Sequence, residues 1–154
     1  MKSFQLSDMV RTICLDLRNP DFRNWHNRPE LSGKVAGWGL TESGYSSDTL
    51  KSLTVSVIGN RQCANQVPIT YRRYLIEDKV CAGRTDGSSM CGGDSGGGLV
   101  LQLDQRWYLL GVLSTSPVAR NMYESCLKTT LTLYTNLKKH SSWLSRNLEE
   151  LHQP

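Results

Sequence analysis

The chain has 154 residues, 18 Lys and Arg against 14 Asp and Glu, a formal net charge of +4, 38% hydrophobic residues and five cysteines. No apolar run approaches the roughly 20 residues a membrane-spanning helix needs, so no membrane partner is expected, and the apolar content excludes a disordered or fibrous chain. The mild basic excess is spread along the sequence rather than gathered in one stretch, which argues against nucleic acid as a partner.

The length suits one ordinary domain, and no repeat or linker divides it. Turn signals punctuate the first third, at Arg18-Asn19-Pro20-Asp21, Asn27-Arg28-Pro29 and Glu42 to Asp48. Strand-like pieces lie between them, at Val10 to Leu17 and Gly33 to Leu40. Leu53, Val55 and Val57 then alternate with Ser52, Thr54 and Ser56, the period of a half-buried strand. Gly97 to Leu103, Arg106 to Ser114 and Leu131 to Thr135 continue the theme, with Asp104-Gln105 as a tight turn. Short strands with turn-rich connections predict a sandwich or barrel. From Leu137 the pattern changes: Leu137, Leu144, Leu148 and Leu151, with Trp143 beside them, place an apolar stripe on a terminal helix expected to dock on the rest of the fold.

Chemistry concentrates in Gly87 to Val100, where Gly92, Gly93, Gly96, Gly97 and Gly98 crowd around Asp94-Ser95. Glycine is needed where backbone takes positive φ or where amides approach a ligand closely. A serine in such a turn can project its hydroxyl while nearby N–H groups face a developing oxyanion; Gly93 and Ser95 are the natural donors, and Asp94 could lock the turn through a buried pair. The plainer alternative is a flexible Gly/Ser loop. Gly93-Asp94-Ser95-Gly96-Gly97 also satisfies G-x-S-x-G, but that elbow needs a helix after the serine, and Leu99 to Leu103 reads as a strand.

Cys91-Gly92-Gly93-Asp94-Ser95-Gly96-Gly97 resembles the active-serine segment of chymotrypsin-like (trypsin-family) serine proteases. Four other segments resemble that family in its order: Val10 to Leu15 the segment joining two barrels, Val35-Ala36-Gly37-Trp38-Gly39 the opening strand of the second barrel, Val80-Cys81-Ala82-Gly83 the strand before the serine loop, and Leu110 to Ser114 the strand lining the substrate cleft. Leu133-Tyr134-Thr135-Asn136 with a Trp-bearing helix after it looks like the family's closing strand. The resemblance implies an all-β fold: a six-stranded antiparallel Greek-key barrel, the second of the chymotrypsin-like fold, with a C-terminal α-helix. Residues 1–32 would be the inter-barrel segment, 33–136 the barrel and 137–151 the helix.

Cysteine spacing alone leaves the pairing open. The resemblance implies Cys63–Cys81 and Cys91–Cys126, and leaves Cys14 unpaired, where related enzymes often bridge to an upstream segment or module. Two further family cysteines would fall at Gly33 and Leu101, so both halves of one bridge are absent together.

The resemblance also defines what the chain is expected to need. A serine nucleophile requires a base and an orienting acid, and in this family both come from the N-terminal barrel, upstream of Ile13-Cys14. The activation-released amine that pairs with the Asp94 position lies upstream as well. His26, His140 and His152 read as solvated structural residues. The expected picture is a C-terminal half of an extracellular serine endopeptidase acting on polypeptides through Ser95. The missing N-terminal barrel would be its partner. No cofactor or metal is implied, and the chain alone is expected to be inactive. Five cysteines fit an oxidising compartment, whereas Met1 to Asp8 has no apolar signal core, so sequence preceding Met1 is expected. The pocket departs from the family pattern. Ser89 and Met90 stand at its foot beside Gly92, where trypsins carry Asp; Ser114-Thr115-Ser116 replaces Ser-Trp-Gly on the facing wall; Thr132 stands near a usual glycine. These changes are expected to narrow or reshape it, giving a small or apolar preference or shutting substrate out. The competing expectation is a non-catalytic protease homologue serving as a regulatory or binding module.

Overall fold

The computed structural model describes residues 4–15, 31–84, 86, 88–117 and 131–150. Six strands are present: β1 (Ser32–Gly37), β2 (Lys51–Ile58), β3 (Lys79–Gly83), β4 (Gly98–Leu103), β5 (Arg106–Thr115) and β6 (Thr132–Asn136). They close into a barrel in the order β1-β2-β3-β6-β5-β4, every pairing antiparallel. This is the expected barrel. Because β4 returns to pair with β1 rather than with β3, the order β4-β1-β2-β3 is the Greek-key arrangement. That return forces a long connection, residues 84–97, over one end of the barrel.

Alternation builds the interior. Val35, Val55, Val57, Val80, Ala82, Leu99, Leu101, Leu110, Leu113 and Tyr134 point inward and form one buried cluster, joined by Met90 from the connection. The out-facing residues of β3 and β6 are buried as well, since Cys81 and Leu133 pack with Cys63, Val67, Tyr71 and Leu131 in a second cluster. A helix α1 (Asn60–Gln66) and a 3₁₀ turn (Ile69–Tyr74) provide that cover. The Cys63–Cys81 disulfide staples α1 to β3. The absent bridge also has a physical counterpart: Gly33 and Leu101 are paired across β1 and β4, and a Cβ on Gly33 would meet the Leu99 and Leu101 side chains.

Two expectations are corrected. The Val10 to Leu17 stretch is not a strand over its described part; it touches the barrel through a single bridge, where the Cys14 N–H donates to the Trp107 carbonyl and the Leu109 N–H donates to the Cys14 carbonyl. Among the described residues its apolar side chains have no neighbouring strand to bury against, and Val10 and Ile13 remain 43% and 42% exposed. Strand β1 ends at Gly37 rather than Leu40, because the chain turns inward there to approach the serine turn. The C-terminal pattern resolves into a 3₁₀ turn (Leu137–His140), capped by the Asn136 side chain, and helix α2 (Ser141–Glu150). Its stripe docks only in part, as Trp143 remains 60% and Leu148 41% exposed.

Candidate active site

Ser95 is exposed on the long connection between β3 and β4. Gly93 at φ +95° and Gly96 at φ +87° flank the Asp94-Ser95 pair, a left-handed conformation on both sides that glycine takes without a Cβ penalty. Bonds within the turn set its shape: the Asp94 N–H donates to the Cys91 carbonyl at 3.1 Å and the Gly97 N–H to the Asp94 carbonyl at 3.0 Å. Two bonds then strap it to β5, from the Gly96 N–H to the Leu113 carbonyl (3.0 Å) and from the Leu113 N–H to the Gly97 carbonyl (2.8 Å). Among the described residues the Gly93 and Ser95 N–H groups have no acceptor.

Asp94 anchors the turn from beneath. Its carboxylate accepts the Gly39 N–H at 2.7 Å and the Cys91 N–H at 3.0 Å, both charge-assisted. A Cβ on Gly37 or Gly39 would overlap that carboxylate, so the Gly-Trp-Gly segment is shaped to admit it. A further bond from the Leu40 N–H to the Gly92 carbonyl, at 2.8 Å, holds the two segments side by side. Among the described residues the partners of Asp94 are thus backbone N–H groups rather than a cation. Sequence reading missed the role of Gly37 and Gly39; the signal was two glycines bracketing a tryptophan at a strand end.

The sequence-derived pocket residues lie on both flanks of the turn. Ser88 and Ser89 are half-buried, Met90 is buried in the barrel interior and Gly92 is exposed in the turn. On the other flank the β5–β6 ladder shifts register between Leu113 and Thr115, leaving Ser114 exposed. The Thr115 carbonyl accepts the Tyr71 hydroxyl at 2.5 Å, a contact that no sequence motif announced. Burial pushes the Tyr71 phenol up to about 12. Ser116 Oγ lies 3.2 Å from Thr132 Oγ1, and Thr132 is buried at the start of β6. Tyr134, also buried, has its acidity lowered by burial and secondarily by the negative charge of Asp94. Arg84 and Asp86 form an ion pair at the entry of the connection, Arg84 also donating to the Thr54 carbonyl; the Arg84 hydrogen bond holds the Asp86 carboxyl well below the usual carboxylate range.

Cys91 is disulfide-bonded, whereas its expected partner Cys126 and the loop after Pro117 lie outside the described residues. Cys14 is a free, half-buried thiol. His26 and His152 also lie outside the described residues. His140 is less solvated than expected: its Nε2 lies 3.4 Å from an Asp78 carboxylate oxygen. Asp78 precedes β3 and the serine connection follows it, so His140 stands at the opposite end of that strand from Ser95. Among the described residues no group of three or more His, Cys, Asp or Glu is placed to hold a metal ion, and no helix is long and apolar enough to cross a membrane.

Comparison with known proteins bears on the family and the fold. A family model described as Trypsin matches residues 1–144. The chain is 31% identical over 150 residues to CLIP domain-containing serine protease B4 of Anopheles gambiae, covering 96% of this chain and 39% of that protein. It is likewise 31% identical over 150 residues to Melanization protease 1 of Drosophila melanogaster, covering 94% of this chain and 35% of that protein. It therefore spans well under half the length of these relatives. Among solved structures, one described as HL collagenase superposes with a TM-score of 0.77 at 24% identity, covering 96% of this chain and 58% of the other, a likeness of fold.

Proposed function

The chain belongs to the trypsin family of serine proteases, and on that premise we propose that it is the C-terminal half of a secreted serine endopeptidase domain with Ser95 as nucleophile. Residues 1–32 serve as the segment between the barrels, 33–136 as the second barrel and 137–151 as the closing helix. The observation that carries the reading is the exposed Ser95 on a turn bounded by two left-handed glycines, with the Gly93 and Ser95 N–H groups unengaged among the described residues. Ser95 Oγ attacks the substrate carbonyl, and those two N–H groups receive the oxyanion. The serine proton passes to a base and then to the departing amine as the C–N bond breaks. Water afterwards hydrolyses the acyl-enzyme. The base and its orienting acid come from an upstream barrel, and Cys14 forms a disulfide with an upstream segment, in keeping with relatives named for CLIP domains. The upstream half and a polypeptide substrate are the partners.

The second reading, a non-catalytic homologue acting as a binding module, is favoured by the altered wall Ser114-Thr115-Ser116. A fluorophosphonate separates the two: Ser95 Oγ bonds to phosphorus, and fluoride departs with the serine proton as HF. The 154-residue chain is expected to remain unlabelled, and the chain joined to its upstream half to label at Ser95, with Ser95→Ala abolishing the signal. Efficient labelling of the chain alone would overturn the account of the base. No labelling of the joined form leaves the binding module.

A further inference from the structure

The layer that covers β3 and β6 ends in the 3₁₀ turn Ile69–Tyr74, whose solvent side carries charge that the described residues do not answer. Residues 60–76 contain Arg61, Arg72 and Arg73 and no Asp or Glu. The two acids that follow are engaged elsewhere: Glu77 lies 3.8 Å from Lys139, and Asp78 lies 3.4 Å from both Lys79 and His140. Among the described residues neither Arg72 nor Arg73 meets a carboxylate. We propose that this turn is a docking site for an acidic segment of a partner protein, in which Arg72 and Arg73 take two adjacent carboxylates and Ile69 takes an apolar side chain next to them. The inference needs neither Ser95 nor a base, and so goes beyond the endopeptidase reading.

The period of the turn sorts its side chains. In a 3₁₀ helix residues three apart eclipse one another. Tyr71 and Tyr74 therefore share a side, and their ring centroids lie 5.5 Å apart. At Tyr71 that side faces inward, with the ring buried and the hydroxyl donating to the Thr115 carbonyl at 2.5 Å. Ile69 and Arg72 share a second side, Thr70 and Arg73 a third, and all four residues are exposed. Ile69 is 77% exposed in a segment that buries the nearby Val67 and Tyr71. A cation and an apolar branch thus stand together on one face.

The platform is rigid. The Cys63–Cys81 disulfide ties its leading helix to β3, and the Tyr71 bond ties the turn to β5. Arg73 is also held in place: its guanidinium sits 4.8 Å from the centre of the Tyr74 ring, and its Nη2 donates to Tyr74 Oη at 2.7 Å. The remaining guanidinium N–H groups stay open, and little side-chain freedom is left to lose when a carboxylate arrives. Adjacent like charges repel, and a carboxylate pair removes that repulsion while forming forked hydrogen bonds. A sulfated glycan would supply more charge but no apolar side chain to cover Ile69, and it suits a wide basic field rather than a few arginines. The mixed face fits a peptide.

The test uses the chain joined to its upstream half, carrying Ser95→Ala so that no probe is cut. Fluorescence anisotropy measures Kd for a short labelled peptide with a Glu-Glu-Leu core and for its Gln-Gln-Leu counterpart. The Glu-Glu peptide is expected to bind about tenfold more tightly, and Arg72→Ser/Arg73→Ser to abolish that ratio. Lys51→Ser, which removes an exposed cation on β2, should leave it unchanged. Ile69→Ser should weaken both peptides by about threefold. The Kd ratio within one preparation is independent of the folded fraction. Equal binding of the two peptides overturns the proposal, as does a ratio that survives Arg72→Ser/Arg73→Ser or collapses with Lys51→Ser. No weakening by Ile69→Ser overturns the mixed acidic and apolar ligand. A heparin oligosaccharide that binds more tightly than the Glu-Glu peptide, and loses its affinity in Arg72→Ser/Arg73→Ser, assigns the turn to a glycan instead.

Discussion

Asp94 depends on residues 55 positions earlier in the chain, and that dependence can be tested at the level of one methyl group. The carboxylate takes the Gly39 N–H at 2.7 Å, and the space it occupies exists only because positions 37 and 39 lack a Cβ. Gly39→Ala is therefore expected to destabilise the chain by about 2 kcal/mol, through overlap with the carboxylate and loss of its bond. Gly59→Ala is the control: a Cβ there meets nothing within 4 Å, and the effect should stay within about 0.5 kcal/mol. Urea denaturation followed by tryptophan fluorescence measures both. The Asp94-Ser95 pair was legible in the sequence, because clustered glycines report a special backbone directly. Its anchorage in Gly39 was not, since a hydrogen bond spanning 55 residues leaves no local trace. The same holds for Met90, whose burial in the barrel interior its neighbours Ser89 and Cys91 do not announce.

Elements with strict alternation were the most readable. The period-2 run from Ser52 to Val57 lies within β2, and the Asp104-Gln105 turn joins β4 to β5 where expected. Both turn residues have positive φ, 47° and 63°, as a two-residue turn matched to strand twist requires, yet neither is glycine. Gln105→Gly should relieve that left-handed strain and raise stability by up to about 1 kcal/mol, read as a higher urea midpoint with unchanged slope. No rise would mean that local contacts already hold Gln105 in place. Strand β3 was recognised only by resemblance, for a physical reason: buried on both faces, Lys79–Gly83 shows no alternation. The stretch from Val10 to Leu15 failed in the opposite way. Its residues favour a strand, but a strand needs a partner, and only Cys14 finds one, beside Tyr108.

At the scale of the whole molecule, two buried phenols link the barrel to pH. Burial raises the Tyr71 phenol to about 12 and raises Tyr134 also, so the folded chain keeps both protons where an unfolded chain, with tyrosines near 10, has begun to lose them. The sign follows: this stability is complete below about pH 10 and is lost as pH rises through about 12. Urea midpoints should fall over that window, and less steeply in the double variant Tyr71→Phe/Tyr134→Phe. Parallel slopes would show that other groups govern the alkaline limit. The two phenols differ otherwise, for Tyr71 holds the Thr115 carbonyl whereas the Tyr134 hydroxyl is buried without a hydrogen-bond partner among the described residues.

By itself the sequence determined that the chain is built of short strands, that Ser95 sits among clustered glycines, and that the chemistry gathers between Gly87 and Val100. These properties are local, written in spacing and in residues with special backbone freedom. The tertiary structure decided how the strands close, with β4 beside β1, which sends the serine connection across one end of the barrel. It also decided three long-range pairings: Gly39 with Asp94, Tyr71 with Thr115, and Ser116 with Thr132. Those contacts join residues 16 to 55 positions apart, and only barrel closure brings them within hydrogen-bonding distance.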